Sequence, residues 1–407
     1  HRVGRGRTAM DTGAVGRIFS YGVVSRLYFH LPVLFVFLLL RDYGILAVEV
    51  LLAVYGVSLT LASWAGQSLP ATLSQRAIIA FGEVLKAVGL VLIVVSTSYW
   101  AAFAGQVLAG VGFGLTAGRE TALLRAVAPP DRATVLQGNL QSYIFLSTLV
   151  GGVLGAVLFS WAQFLPFLAS IASILVAAAI VAAVREPARP TPAAGPAGAA
   201  QAPPSPATGA PGGRSGRGIW VAYYVVSRAL AMALFVGFLP YLFFVRQQLP
   251  VAWFGVVLGL YSVTAFVSAR YVSRAGQAIG NLTAAVLSAL LSLVAVLLFA
   301  QGSRAAGLVG IAVLGLGAGG IRPLGLAGLR LAELAPDARS RLLLRQEQLF
   351  GVVNAAALVL GGVILANLTF RDTMNAFAAG FAVFVAGFAV AIWMARPRVG
   401  VSDAARR

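Results

Sequence analysis

The sequence predicts an all-α integral membrane protein with twelve transmembrane helices arranged as two parallel six-helix repeats. Hydrophobic residues make up 59% of its 407 residues and charged residues only 10%, whereas a soluble domain carries about 25% charged residues. Runs of about 20 apolar residues recur along the whole chain, and a helix of that length crosses a hydrocarbon core of ~30 Å. Short motifs also recur in the same order in both halves, which predicts the repeat.

Twelve stretches are predicted as membrane-spanning helices and are numbered here as spans 1 to 12. In chain order they cover residues 18–40, 46–66, 77–97, 99–117, 140–160, 164–184, 219–243, 252–269, 279–300, 305–326, 346–366 and 376–394. Span 8 is the least regular of them, because Arg270 and Arg274 crowd its end. The tryptophans fall at or near span ends, which is typical of an interfacial aromatic belt.

The composition changes abruptly between spans 6 and 7. Residues 186–216 hold eight of the 18 prolines, and alanine, glycine and serine fill most of the remainder. Such a segment buries too little apolar surface to fold and is predicted to be a disordered linker. The predicted organisation is therefore an N-terminal tail, a six-helix bundle, a linker, a second six-helix bundle and a C-terminal tail, over residues 1–17, 18–184, 185–217, 218–395 and 396–407.

The two halves resemble each other in sequence. Span 1 contains Tyr-Gly-Val-Val-Ser-Arg at residues 21–26, and span 7 contains Tyr-Tyr-Val-Val-Ser-Arg at residues 223–228. A Gly-Gly-Val triplet begins at Gly151 in span 5 and again at Gly361 in span 11. Because each half holds an even number of spans, both halves have the same orientation and form parallel repeats.

The arginines indicate the orientation in the membrane. Of the 30 basic residues, 23 lie on the predicted side that holds both termini and the linker, four lie on the other side, and three lie within spans. The positive-inside rule therefore predicts that both termini and the linker are cytoplasmic, in a multi-pass protein of the cell membrane. This topology also accounts for the net charge of +18, so nucleic acid is not an expected partner. The near-exclusive use of arginine over lysine suggests a bacterial source with GC-rich codons.

Several residue counts exclude classes of chemistry. The chain has no cysteine and only two histidines, which excludes thiolate zinc sites, iron–sulfur clusters and histidine-rich metal sites. The only lysine, Lys86, lies in an apolar run, so the glycine-rich Gly-Lys-Ser/Thr loop that binds phosphates is missing. We therefore expect no cofactor, no metal and no enzymatic activity, and a gradient rather than ATP as the energy source.

This arrangement resembles the major facilitator superfamily over nearly the whole chain. The segments Pro130-Asp131-Arg132 after span 4 and Pro336-Asp337-Ala338-Arg339 after span 10 are similar to cytoplasmic turns of that family. Gly151, Gly152 and Gly155 are similar to its glycine-rich fifth helix, where small residues let backbones approach closely. The resemblance implies two bundles that rock about a central site.

Two positions depart from the family pattern. The loop between spans 2 and 3 keeps Gly66 and Arg76 but lacks the acidic residue of the family's signature loop. Span 4 has Gln106 in the region where many proton-linked exporters have an arginine. The resemblance therefore supports the fold but not a named drug-exporter subfamily.

Arg26 and Arg228 are the main candidate substrate-binding residues. A charge near the bilayer centre costs about 2.5–3.5 kcal/mol on insertion scales, and these two arginines occupy equivalent places in the repeat. If both face one cavity, their guanidinium groups form a fork-shaped site for a carboxylate or phosphate, similar to that of the family's organophosphate antiporters. The alternative is that each arginine snorkels to the interface or pairs with a buried acid.

Other polar residues within spans are secondary candidates. His30 lies one turn beyond Arg26 and has a side chain suited to proton coupling, although it could equally be a packing residue near Pro32. Further candidates for polar contacts in the cavity are Glu49, Gln106 and Asn354. The remaining pair, Glu83 and Lys86, lies three residues apart on span 3, which is peripheral in the family, and is interpreted as structural.

The function expected from these features is secondary active transport of a small organic solute by a monomer. An anion or amphiphile is favoured, moved by alternating access with proton coupling or exchange, and export is favoured over import. One alternative is proton-coupled multidrug efflux of hydrophobic compounds. An alternative of another class is a polytopic receptor or scaffold that transports nothing.

Overall fold

The computed structural model describes residues 12–69, 73–128, 130–185, 214–329, 334 and 336–395. Most of the predicted linker, residues 186–213, lies outside the described residues, as do the tail residues 1–11 and 396–407. Within the described ranges the chain is built of helices joined by short connections. Helix formation begins earlier than the spans predict in both halves, at Thr12 and at Arg214.

Among the described residues, the first half contains eight α-helices. They are α1 (Thr12–Val24), α2 (Leu34–Leu39), α3 (Ile45–Ala65), α4 (Gln75–Val95), α5 (Tyr99–Thr116), α6 (Arg119–Val127), α7 (Pro130–Trp161) and α8 (Leu165–Ala182). Short 3₁₀ turns precede α2 at Leu31–Val33 and follow α3 at Gly66–Ser68. Spans 1 to 6 therefore correspond to α1 with α2, then α3, α4, α5, α7 and α8, and α6 is a short extra helix after span 4.

In the described part of the second half there are six α-helices and two π-helical segments. The α-helices are α9 (Arg214–Ala233), α10 (Phe254–Ile279), α11 (Asn281–Ala300), α12 (Arg304–Gly328), α13 (Pro336–Asn367) and α14 (Phe370–Ala395). The π-helical segments, Leu234–Phe238 and Tyr241–Arg246, continue the path of α9. A 3₁₀ turn at Val251–Trp253 leads into α10.

The all-helical membrane architecture is confirmed. Among the described residues, nine helical stretches are long and apolar enough to cross a membrane, and Leu146–Trp161 is a shorter apolar helix. A helix occupies each of the twelve predicted positions. That all twelve of these helices cross the membrane stays a prediction. Span 1 differs from the expected continuous helix, because its residues 25–30 lie between α1 and the 3₁₀ turn.

Side-chain contacts fix which helix ends share a side of the bundle. Arg17 at the start of span 1 and Arg76 at the start of α4 donate to the carbonyls of Ala183 and Val184, just after α8, at 2.8 and 2.9 Å. This end, where α8 ends and α9 begins, is called the linker side. At the other end, the opposite side, Arg41 donates to the carbonyls of Val94 and Ser96 at the end of α4.

The outer faces of the helices are strongly apolar, as a lipid-facing surface requires. Large side chains such as Leu61, Phe81 and Phe266 remain more than half exposed on the protein surface. Five of the six tryptophans are at least half exposed near helix ends, as predicted for an aromatic belt. The sixth, Trp220, is buried instead, because it packs against Tyr223 and the Phe388 ring of α14.

Two helix pairs provide much of the contact between the two halves. In the first, α3 packs against α13, with contacts from Glu49 and Gly362 to Thr60 and Gly351. In the second, α7 meets α10 near Gly152, Val153, Gly255 and Leu258, in the parts of both helices towards the opposite side. These contacts close the bundle towards the opposite side and leave a cavity between the halves.

Candidate functional site

The break in the first span places a run of polar and aromatic residues at the centre of the bundle. The Ser25 N–H still donates to the Tyr21 carbonyl four residues back, but the N–H groups of Arg26 and Leu27 bond back over three residues instead of four. The His30 N–H donates to the Ser170 hydroxyl of α8 at 3.1 Å, which satisfies a donor that the break would otherwise leave unpaired. Irregular backbone at membrane depth is tolerated where protein or a cavity surrounds it.

The glycines of α7 make room for this broken segment. A Cβ atom built on Gly155 would lie 2.7 Å from the carbonyl carbon of Phe29 and 2.9 Å from its Cα, and the carbonyl oxygen is closer still. One built on Gly151 would lie 3.0 Å from the Tyr28 nitrogen. The close approach expected of a glycine-rich fifth helix is therefore present, and the broken segment is what it approaches.

Span 7 is irregular as well. The first of its two π-helical segments contains Gly237, and Leu239 and Pro240 separate it from the second. Proline removes a backbone donor and clashes with the preceding turn, and π segments often mark functional sites. Interrupted helices in corresponding spans of two repeats are a strong structural indication of a binding site in transporters.

A cavity of about 110 Å³ lies between these two irregular spans. Nine of its fifteen lining residues are aliphatic and a tenth is a methionine, so most of its wall is apolar. The polar and aromatic part of the wall consists of Tyr28, His30, Tyr55, Lys86 and Gln106, all from the first half. The second half contributes Met232, Val236 and Leu358. We call these five polar and aromatic residues of the first half the polar face; both halves contribute to the apolar remainder of the wall.

Lys86 belongs to a buried network behind the polar face. Its Nζ lies 2.5 Å from Glu83 Oε2, and the hydroxyl of Tyr21 donates to Glu83 Oε1 at 2.8 Å. Lys86 also lies 5.6 Å from the centre of the Phe113 ring, within the range of a cation–π contact. The pair predicted between Glu83 and Lys86 is formed, but Lys86 lines the cavity, whereas span 3 is expected to be peripheral.

Arg26 lies beside this network and is paired. Its Nη1 donates to the Tyr28 hydroxyl at 2.7 Å, and its Nη2 lies 3.4 Å from Glu120 Oε2 in α6. Its guanidinium also stacks over the Phe113 ring at 5.0 Å. Since Tyr28 lines the cavity, Arg26 stands directly behind the wall, towards the linker side.

Arg228 has a similar environment in the second half. Its Nη1 contacts both carboxylate oxygens of Glu347 in α13 at 2.7 Å and donates to the Tyr224 hydroxyl at 2.6 Å. The guanidinium stacks 4.0 Å from the centre of the Phe350 ring. The side chains of Arg228 and Glu347 are 38% and 48% exposed, so this pair is accessible, whereas Arg26 is only 14% exposed.

The structure brings some of the predicted site residues to the cavity and leaves others next to it. His30 and Gln106 line it, and Gln106 Nε2 has no hydrogen-bond partner among the described residues. Asn354 lies one turn from the lining residue Leu358, and Arg228 one turn from Met232. Each arginine has an acidic partner, which is the arrangement that the alternative interpretation anticipated.

Sequence reasoning missed several residues of the site. Tyr28 and Tyr55 were not singled out, although both line the cavity. Glu120 and Glu347, the carboxylate partners of the two arginines, were also missed. Their signal in the sequence was weak, because they come from α6 and α13 rather than from the spans that carry the arginines.

Comparisons with known proteins agree with this architecture. The sequence model of the Major Facilitator Superfamily matches residues 18–327. The structure of the POT family transporter PepTSo superposes with a TM-score of 0.75 at 11% identity, covering 94% of this chain and 98% of that one. The nucleoside transporter NupG gives a TM-score of 0.72 at 11% identity, covering 94% and 99%.

A third solved structure is a bacterial homologue of the iron transporter ferroportin in an inward-facing state. It has a TM-score of 0.67 at 15% identity and covers 94% of this chain and 98% of that chain. A search of curated protein sequences finds no significant match. At these identities, the likeness to solved structures concerns the fold.

Proposed function

The chain belongs to the Major Facilitator Superfamily, and on that premise we propose that it is a secondary active transporter of a small organic anion or amphiphile. Its two six-helix halves would rock about the central cavity and expose it to each side of the membrane in turn. The observation that carries the proposal is the cavity itself, which lies between the irregular segments of spans 1 and 7. A receptor or scaffold would need no such interrupted helices.

The composition of the cavity wall supports an amphiphilic solute. Aliphatic side chains would receive an apolar body, while Tyr28, Lys86 and Gln106 on one face would receive a polar head. Lys86 favours a negatively charged head, which would compete with Glu83 for the ammonium group. These features support an anion with an apolar portion better than they support a strongly hydrated cation.

Arg26 and Arg228 are proposed to take part in binding through exchange of partners. In the described conformation they bind Glu120 and Glu347, so an arriving carboxylate or phosphate would have to displace a carboxylate of the protein. Such an exchange releases a contact between helices at the moment of binding, which ties substrate entry to movement. Gln106 and Asn354 would add polar contacts, and His30 is a candidate proton-coupling group.

The direction and energy source are proposed as export driven by a proton gradient or by exchange. The exposed Arg228–Glu347 pair lies between the cavity and the linker side, and gives a solute that enters from that side an accessible first contact. If the linker and both termini are cytoplasmic, as the arginine distribution predicts, this first contact faces the cytoplasm of a bacterial cell. A monomer contains both halves of the cavity and is the proposed functional unit.

The proposed function can be tested with purified protein in liposomes. Labelled anionic amphiphiles, small anions and hydrophobic cations are offered with and without a pH gradient. We expect accumulation of an anionic amphiphile, and a sharp loss of it in Arg26→Lys and in Arg228→Lys, because lysine lacks the planar fork. The matched control is Arg274→Lys, a change in an exposed arginine outside the cavity, which retains transport.

Each other outcome has a defined meaning. Transport of hydrophobic cations without any anion would favour multidrug efflux, in which the aliphatic wall provides most of the recognition. Wild-type rates in both arginine variants, at normal protein levels, would remove the two arginines from the binding site. No flux of any solute would favour the receptor or scaffold.

A further inference from the structure

Glu49 of α3 is a fully buried acid that the cavity does not use. Its relative exposure is 0%, and neither carboxylate oxygen has a hydrogen-bond partner among the described residues. It is absent from the cavity wall, although Leu52, one turn further along α3, lines it. The side chain thus lies one turn beyond the cavity, towards the opposite side, rather than adding a polar contact to it as expected.

The carboxyl group is enclosed by backbone from the second half. A Cβ atom built on Gly237 would lie 2.6 Å from both Glu49 carboxylate oxygens, and one built on Gly362 would lie 2.8 Å from Glu49 Cβ. The π-helical segment of span 7 and helix α13 therefore close directly over the acid. We call this contact of Glu49, Gly237 and Gly362 the Glu49 seam.

The neighbouring titratable and charged groups are engaged elsewhere. On the elements packed around the seam, the ionisable side chains with their described contacts are Arg41, with the Val94 and Ser96 carbonyls at the end of α4; Tyr43, with the Thr97 carbonyl; Tyr55, against the Phe113 ring; Tyr241 and Arg246, over the Phe370 ring; and Glu347, with Arg228. Three further arginines of α13, Arg339, Arg341 and Arg345, are exposed in its first turns on the linker side. Asp42, next to Arg41, is exposed. His30 contacts Ser170, and Tyr99 packs against Tyr43. No cation among the described residues is paired with Glu49.

We infer that Glu49 is a proton-binding site at the junction of the two halves, and that the seam closes only when this carboxyl carries a proton. An ionised carboxylate without a partner or water is strongly disfavoured in a low-dielectric interior, so the closed seam accommodates the neutral acid. Glu49 lies four residues inside α3, about 6 Å from its end on the opposite side. Separation of α13 and the π-helical segment from α3 would therefore bring water to it and permit ionisation.

This inference rests on the proposed alternating access and assigns its proton dependence to one residue. Protons bind preferentially to the conformation closed on the opposite side, so acid favours closure and rising pH favours opening. For a single proton, the ratio of closed to open molecules changes by up to about tenfold per pH unit. A proton taken up from the opposite side would thus accompany each closure of the seam.

The test measures the distance across the seam and requires no knowledge of the substrate. Because the chain has no cysteine, spin labels can be placed at Gly44→Cys and Leu368→Cys, two exposed positions at the opposite-side ends of α3 and α13. Distance distributions are recorded by electron paramagnetic resonance in lipid nanodiscs between pH 5 and pH 9. We expect a short distance to dominate in acid and a longer one to grow as the pH rises.

Four further variants sharpen the result. Glu49→Gln mimics the protonated acid and should keep the short distance at every pH, whereas the control Asp42→Asn, at an exposed acid on the same side, should keep the wild-type response. Gly237→Ala places a methyl group against the carboxyl and should lengthen the distance at every pH. Adding Glu49→Ala to that variant removes the clash and should restore the short distance.

Two outcomes would overturn the inference, and they can be told apart. If the wild type shows both distances in proportions that do not change with pH, or if Glu49→Gln retains the pH response, Glu49 is not the proton site and alternating access stands. If every variant shows one unchanging distance, then the seam does not open, and the proposed alternating access fails together with the inference.

Discussion

The contact between α7 and the broken segment of span 1 gives the sharpest test of how the site is held. Gly155→Ala adds a single methyl group whose carbon would lie 2.7 Å from the carbonyl carbon of Phe29. Ordinary van der Waals contact begins near 3.4 Å, so the two backbones would have to separate by at least about 0.7 Å. Because the neighbour is main chain, no side-chain rotation can relieve the clash.

The expected cost of this change is about 1–3 kcal/mol of overpacking, reduced by as much as ~1 kcal/mol because alanine is the better helix former. The matched control is Gly380→Ala in α14, where an added Cβ meets no atom within 4 Å. Thermal unfolding of the purified proteins in detergent should show a lower midpoint for Gly155→Ala and an equal or higher one for Gly380→Ala.

The displacement should also reach the site, because the segment that moves carries Arg26, Tyr28 and His30. We therefore expect solute flux in liposomes to fall in Gly155→Ala and to stay at the wild-type level in Gly380→Ala. Equal unfolding midpoints and equal flux in the two variants would refute the idea that the glycines of α7 exist to admit the broken segment.

Three further changes test the polar groups around the cavity. Removing one partner of the buried Glu83–Lys86 pair, as in Lys86→Met, should destabilise the protein by about 3–5 kcal/mol, and the double variant with Glu83→Gln should recover much of that loss in thermal unfolding. Glu347→Gln frees its arginine from an internal carboxylate and should tighten binding of an anionic amphiphile by roughly tenfold in equilibrium binding, equivalent to ~1.4 kcal/mol; unchanged affinity would argue against partner exchange. Ser170→Ala removes the hydroxyl that holds the cavity-lining histidine and should cost about 1–3 kcal/mol, whereas the exposed Ser160→Ala should leave the unfolding midpoint unchanged.

The architecture could be predicted from the sequence because it follows from the composition and from the length of the apolar runs. Apolar runs of membrane-spanning length predict the helices regardless of how they pack, and each predicted position contains one. The break in span 1 was not predicted, because residues 18–40 are strongly apolar on average although Ser25, Arg26 and His30 lie within the break. Its cause is tertiary, since Ser170 of α8 and the glycines of α7 replace the contacts that a continuous helix would make.

The two arginines of the site could be found from the repeat, but their partners could not. Arg26 pairs with Glu120 across 94 positions in sequence, and Arg228 with Glu347 across 119. The partners also come from non-equivalent elements, α6 in one half and α13 in the other, so the repeat gives no indication of them. The isolation of Glu49 likewise depends on the second half closing over it.

The most direct test of the central claim is whether the cavity opens to each side of the membrane in turn. The absence of cysteine allows a single thiol to be placed in its wall with Met232→Cys, and an impermeant maleimide can be applied from either side of oriented proteoliposomes. Single thiols at Arg185→Cys on the linker side and Gly44→Cys on the opposite side verify the orientation. Alternating access predicts that the cavity thiol is labelled from both sides, at rates that solute or pH shifts in opposite directions. Labelling from one side alone under every condition would contradict it.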